Sequence, residues 1–99
     1  MRVGTVLTAQ PLMNVRKKSY QLTIDFGPEI GQKYSAAQIT DLYEPGGLVG
    51  RQVVAVVNLP PKRIGPFTSD VLTLGAQDES GRVVLLTLER AVPNGMRVY

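Results

Sequence analysis

Ser19-Tyr20-Gln21-Leu22-Thr23-Ile24-Asp25-Phe26 alternates without a break. Tyr20, Leu22, Ile24 and Phe26 fall on one side. Ser19, Gln21, Thr23 and Asp25 fall on the other. A period of two over eight residues marks a β-strand with one buried face. The four apolar residues are therefore expected in the core. Gly27-Pro28 ends the strand, because proline cannot donate to a ladder and glycine lets the chain turn.

Working outward, Arg2 to Ala9 is rich in Val, Leu and Thr and reads as the first strand, closed by Gln10-Pro11. Gln32 to Thr40 reads as a third strand. Asp41 to Gly47, with Pro45 and a Gly pair, is short helical or turn material. Gln52 to Asn58 holds Val53-Val54-Ala55-Val56-Val57, a β-branched run expected to be buried on both sides. Leu59 to Asp70 carries three prolines and reads as a loop. Val71 to Gly75 and Arg82 to Leu88 read as strands around a turn at Asp78 to Gly81. Pro93-Asn94-Gly95 is a turn before a short last strand, Met96 to Tyr99. Many short strands with one helical insert between the third and fourth predict an all-β, OB-type barrel. At 99 residues the chain is a single domain, residues 1–99.

Composition excludes much chemistry. There is no cysteine and no histidine, so thiolate nucleophiles, disulfides and the commonest general base and zinc ligand are absent. The eight carboxylates are scattered. Ser35, Ser69 and Ser80 have no histidine partner, and Gly27-Pro28-Glu29-Ile30-Gly31 lacks the ending of a phosphate loop. No enzyme, metal or cofactor is expected. No segment is apolar enough to span a bilayer and no signal peptide precedes Arg2, so a cytoplasmic protein without stable membrane insertion is expected.

The net charge of +3 is mild, but its placement is informative. Arg16, Lys17 and Lys18 lie between strands one and two. Lys62 and Arg63 lie between strands four and five, and Lys33 starts strand three. In an OB barrel those two loops flank the ligand face, so the cations are expected around one groove that could hold a phosphate backbone. Tyr34 or Phe67 could stack on a base. Ser35, Gln38, Asn58 and Ser69 could hydrogen-bond bases, sugars or a peptide. Leu59, Ile64 and Phe67, with Tyr34, could instead receive an apolar peptide. Structural alternatives exist for each: Phe67 as a core pin of the proline-rich loop, Asn58 as a turn cap, Ser69 satisfying loop amides, and the basic run as a solvated loop tip.

Beyond these patterns, Ile24-Asp25-Phe26-Gly27, Ile30-Gly31 and Ser35-Ala36-Ala37-Gln38-Ile39-Thr40 form part of a wider resemblance. It continues through Leu48 to Ile64, Phe67-Thr68-Ser69-Asp70-Val71-Leu72-Thr73-Leu74-Gly75 and Val92-Pro93-Asn94-Gly95. Together they resemble the CsaA-type secretion chaperones, members of the tRNA-binding domain family that also ends some methionyl-tRNA synthetases. The resemblance implies an OB barrel assembled as a homodimer, structure-directed tRNA binding, and chaperone activity toward exported preproteins or their signal peptides. Ser35 and Gln38 match its strand-three motif. Asn58, Lys62, Arg63, Phe67 and Ser69 match the motif of strand four and the following loop. Tyr34 stands where the family usually has glutamine, and Asp70 where glutamate is common. The family's short helical segment before the Arg-Val-Gly strand has no counterpart before Arg2, so the dimer is expected to differ there.

Overall fold

The computed structural model describes residues 1–13 and 18–99. Its frame is a five-stranded sheet of β1 (Arg2–Pro11), β2 (Tyr20–Asp25), β3 (Gln32–Ala37), β4 (Gln52–Val56) and β7 (Leu72–Thr73), in the order β3-β2-β1-β4-β7. All four neighbouring pairs are antiparallel. The two edge strands then approach each other. Backbone amides of Asp70 and Val71 donate to the Tyr34 carbonyl at 2.7 and 3.3 Å. The sheet thus becomes a nearly closed barrel.

The alternating stretch behaves as its pattern requires. Tyr20, Leu22, Ile24 and Phe26 are buried. They pack with Val6, Ala37, Ile39, Leu48, Val53, Ala55 and Val71. The Tyr20 hydroxyl donates to the Tyr43 carbonyl at 2.7 Å, which satisfies the one polar atom that side chain brings inside. Of the run expected to be buried on both sides, Val53, Val54 and Ala55 are buried, whereas Val56 and Val57 at its end are only partly so.

Between β3 and β4 lies the expected helical insert, α2 (Pro45–Leu48), a single turn whose Leu48 is wholly buried in the core. A second turn, α1 (Gly27–Ile30), occupies the β2–β3 connection, where sequence reading placed only a stop. It opens on Gly27 at φ +89 followed by Pro28, suited to the first helical positions.

Two segments differ from expectation. The proline-rich stretch is not an irregular loop: β5 (Lys62–Ile64) and β6 (Phe67–Ser69) form a hairpin with a two-residue Gly65-Pro66 connection. Gly65 sits at φ +58, the region a first loop residue of a tight hairpin demands. The segment expected as one strand over 71–75 is split. Leu72–Thr73 joins the barrel, whereas β8 (Gly75–Gln77) turns away to pair with β9 (Val83–Leu85). The chain's end forms only an isolated bridge, Arg2 to Arg97. It is strapped down by Gln52, whose amide donates to the Val92 carbonyl at 2.6 Å and accepts from the Val92 amide at 3.1 Å.

Candidate nucleic-acid and peptide interface

The face of β1–β2–β3 that points away from the core is built from cross-strand rows. Thr8 opposes Thr23, which opposes Tyr34. Gln10 opposes Gln21, which opposes Ala36. These residues are the polar half of the alternation, so the periodicity that buries Leu22 and Ile24 also creates a neutral, hydrogen-bonding surface outside. Tyr34 is half exposed on it. The Phe67 ring meets Tyr34 edge to face, with centroids 6.1 Å apart and planes at 73°. That spacing lies in the favourable range for aromatic pairs. Asp70 braces the arrangement by accepting the Tyr34 amide at 3.0 Å.

Two concavities flank this surface. The larger, of about 750 Å³, lies between the end of β3, the β5–β6 hairpin and the β8–β9 hairpin. Leu59, Ile64, Leu74, Val83 and Leu85 give it an apolar lining, with Gln38 and Lys62 also on its wall. The smaller, of about 290 Å³, joins Gln10 to Met13 and Gln21 with Pro66 and Phe67 at the hairpin tip. Leu12 and Met13, which follow β1, therefore lie on the same side of the barrel as Pro66 and Phe67 of the β5–β6 hairpin.

The expected site residues divide among these places. Arg16 and Lys17 lie outside the described residues. Lys18 is exposed and precedes Ser19, whose carbonyl accepts the amide of Leu12, a residue lining the smaller cleft, at 2.9 Å. Gln38, Leu59, Lys62 and Ile64 line the larger groove, and Phe67 the smaller. The peptide-binding set of Tyr34, Leu59, Ile64 and Phe67 is thus split, not gathered in one pocket. Asn58 is exposed after β4, lines neither concavity, and its side chain makes no hydrogen bond among the described residues.

Four of the expected site residues are not gathered on one open face. Ser35 is not on the ligand face. It is fully buried, sharing a hydrogen bond with the Thr73 hydroxyl at 2.8 Å and donating to the Val71 carbonyl at 3.3 Å. Ser69 is largely buried and lines the larger groove: its hydroxyl accepts the Ala36 amide at 3.1 Å and donates to the Val71 carbonyl at 3.0 Å. Lys33 opposes Ile24, on the barrel-facing row of β3 with Ser35 and Ala37, and is only partly exposed. Arg63 does not stand beside Lys62. In the hairpin register Lys62 pairs with Ser69 and Ile64 with Phe67, which puts those four on one face and Arg63 with Thr68 on the other. The Arg63 guanidinium folds back on the Gly65 carbonyl at 3.3 Å. For Lys33, Ser35 and Arg63 the cause is one: a period of two sends adjacent residues to opposite faces, and motif membership does not say which.

Sequence reading missed Gln10 and Gln21. Gln21 was visible on the polar side of the alternation, but its partner was not, because strand register is a tertiary fact.

Among solved structures the chain is similar to chaperone CsaA from Bacillus anthracis str. Ames, with 49% identity, a TM-score of 0.92, and coverage of 99% of this chain and 88% of that one. It is similar to CsaA from Picrophilus torridus at 42% identity and a TM-score of 0.91, over 99% and 89% of the two chains. Methionine–tRNA ligase of Methanocaldococcus jannaschii is 35% identical over 98 residues, 99% of this chain. The chain spans only 15% of that enzyme's length. Residues 1–97, nearly the whole barrel with its C-terminal strap, match the model of the tRNA binding domain, and the chain belongs to that family.

Proposed function

We propose that the chain is a non-catalytic tRNA-binding protein that works in the cytoplasm as a CsaA-like export chaperone. The observation that carries the RNA half is the Tyr34–Phe67 pair. Two residues 33 positions apart are brought to 6.1 Å beside outer rows of Thr8, Thr23, Gln10, Gln21 and Ala36. Exposed aromatics on a polar OB face are the usual platform for bases, because every base has a stackable surface. Lys18 and Lys62, at the two flanking connections, supply phosphate contacts. Family membership and the methionine–tRNA ligase relatives support tRNA as the RNA class.

The test is a filter-binding titration with tRNA at two salt concentrations. Affinity should fall steeply with salt as counterions are released. Affinity that does not move with salt overturns phosphate contact.

The chaperone half rests on a separate observation, the larger apolar groove with Lys62 on its wall. Its size and lining suit a short apolar segment of an unfolded preprotein or signal peptide. The CsaA likeness favours this over a purely structural dimerisation module. Leu59→Ser, on the exposed wall of the groove, should weaken binding of a fluorescent apolar peptide while leaving tRNA affinity within about twofold, since it changes no charge. Unchanged peptide binding overturns the groove as the peptide site. The working form is proposed to be a homodimer, which light scattering after size-exclusion chromatography tests: a monomer at micromolar concentration overturns it.

A further inference from the structure

The smaller cleft has a composition that the tRNA-binding reading does not by itself explain. Gln10 on β1 and Gln21 on β2 are direct cross-strand partners on the outer face. Their side chains leave adjacent strands side by side, a few ångströms apart at Cβ. Both line the cleft, and Phe67 lines it from the hairpin tip, together with Pro66 and Met13. Phe67 is itself held by the edge-to-face contact with Tyr34. Its volume of about 290 Å³ is ample for one purine ring system and too small for a folded element of a protein.

From this we infer that the cleft is a subsite for one unpaired adenine of the bound RNA. The inference rests on the proposed RNA-binding function and adds base selectivity to it. The chemistry is specific. A primary amide presents a donor and an acceptor side by side, which is the complement of the adenine N6–H₂ and N7 edge. Neither amide is spent elsewhere: among the described residues the Gln10 and Gln21 side chains make no hydrogen bond within the protein, unlike Gln52, whose amide is used to strap the C-terminus. Phe67 supplies a π surface against which an extruded base can lie. Lys18 is exposed and precedes Ser19, which bonds the cleft-lining Leu12, and it can meet a phosphate next to the inserted base. A fully paired helix cannot use such a site, since its bases are stacked and their edges engaged, so the ligand feature is a loop, a bulge or an end.

The experiment uses the full chain and four single-stranded homohexaribonucleotides, (rA)₆, (rC)₆, (rG)₆ and (rU)₆, read by fluorescence anisotropy at one salt concentration. Intact tRNA is measured in the same buffer. Wild type should bind (rA)₆ about tenfold more tightly than the other three, since a matched bidentate contact discriminates by roughly that factor or more. The Gln10→Leu/Gln21→Leu double variant keeps the bulk of both side chains and removes the amides. It should bind all four hexamers within about twofold of one another. Phe67→Leu should weaken every hexamer about tenfold without altering their order beyond twofold. Thermal melts check that each variant is folded.

Equal affinity of wild type for the four hexamers overturns the inference, as does an adenine preference that survives the double variant. The tRNA measurement separates the failures. If tRNA binds but no base preference appears, only the subsite is wrong. If neither tRNA nor any hexamer binds, the RNA-binding reading falls and the subsite with it.

Discussion

The hydroxyl of Ser35 on β3 lies 2.8 Å from that of Thr73 on β7, inside a barrel whose sheet order places those two strands at opposite edges. This bond, with the Ser35 and Ser69 hydroxyls donating to the Val71 carbonyl, is part of what closes the barrel. Removing Ser35 loses two hydrogen bonds, but the Val71 carbonyl keeps its Ser69 donor and the Thr73 hydroxyl, only partly buried, can turn to water. Ser35→Ala should therefore cost about 1 kcal/mol, the typical net worth of a buried hydrogen bond. For a domain of this size that is a fall of about 5 °C in Tm by calorimetry. Its tRNA affinity should not change. A loss of affinity without a loss of stability would restore Ser35 to the ligand face.

Gly4 on β1 is a close approach inside the barrel, set by space. A Cβ at this position would stand 2.5 Å from Ile24 Cγ2 and 2.9 Å from two Phe26 ring atoms. Both neighbours are fully buried, so neither can swing aside. Gly4→Ala should destabilise the fold by about 1–3 kcal/mol through overpacking. Urea denaturation checks this, and a midpoint unchanged from wild type would refute it.

Tyr34 distinguishes a stacking role from a packing role. It is half exposed and pairs only edgewise with Phe67. Tyr34→Ala should lower tRNA affinity about tenfold, within the usual worth of one base–aromatic stack. The unfolding midpoint should shift little. The opposite pattern, with stability lost and affinity kept, would make Tyr34 a brace for the hairpin.

Lys62 and Arg63 are neighbours in sequence but face opposite sides of the hairpin. Lys62→Ala should reduce the slope of log affinity against log salt by about one, whereas Arg63→Ala should leave it unchanged. Filter binding across a salt series decides the matter. Equal effects from the two would mean that the RNA wraps both faces.

Asp78 gives the β8–β9 turn a pH dependence. Its carboxylate accepts the Arg82 and Ser80 amides, each at 2.9 Å, and the Arg82 guanidinium at 2.8 Å. Chiefly the Arg82 amide, aided by the Ser80 amide and the Arg82 side chain, holds the carboxyl below the usual aspartate range despite some desolvation. A depressed folded-state value means that the turn is stabilised above the ordinary carboxylate range. That contribution is lost as pH falls through the folded value. The protection factors of the Arg82 and Ser80 amides, taken relative to the slower intrinsic exchange in acid, should fall on acidification before those of the barrel strands, and Asp78→Asn should remove this early step.

The strength of the periodic signal decided what could be read from the chain. Tyr20 to Phe26 alternates without exception, and Val53 to Val57 is continuously apolar and β-branched at every position but Ala55. Each dictated a strand and its buried face through local geometry alone. The core, the barrel and the short insert ending at Leu48 followed. The Gly65-Pro66 hairpin was harder to see, because three-residue strands between prolines carry too few residues to show a period.

The ligand-facing surface was decided elsewhere. Whether Ser35 or Tyr34 faces outward, whether Lys62 and Arg63 act together, and that Gln10 stands opposite Gln21 all depend on pairing register. Register comes from contacts between strands far apart in the chain. Composition and alternation fix how much of each strand is buried, a property of single residues and their neighbours. Which exposed side chains meet is a property of pairs, and only barrel closure brings those pairs together.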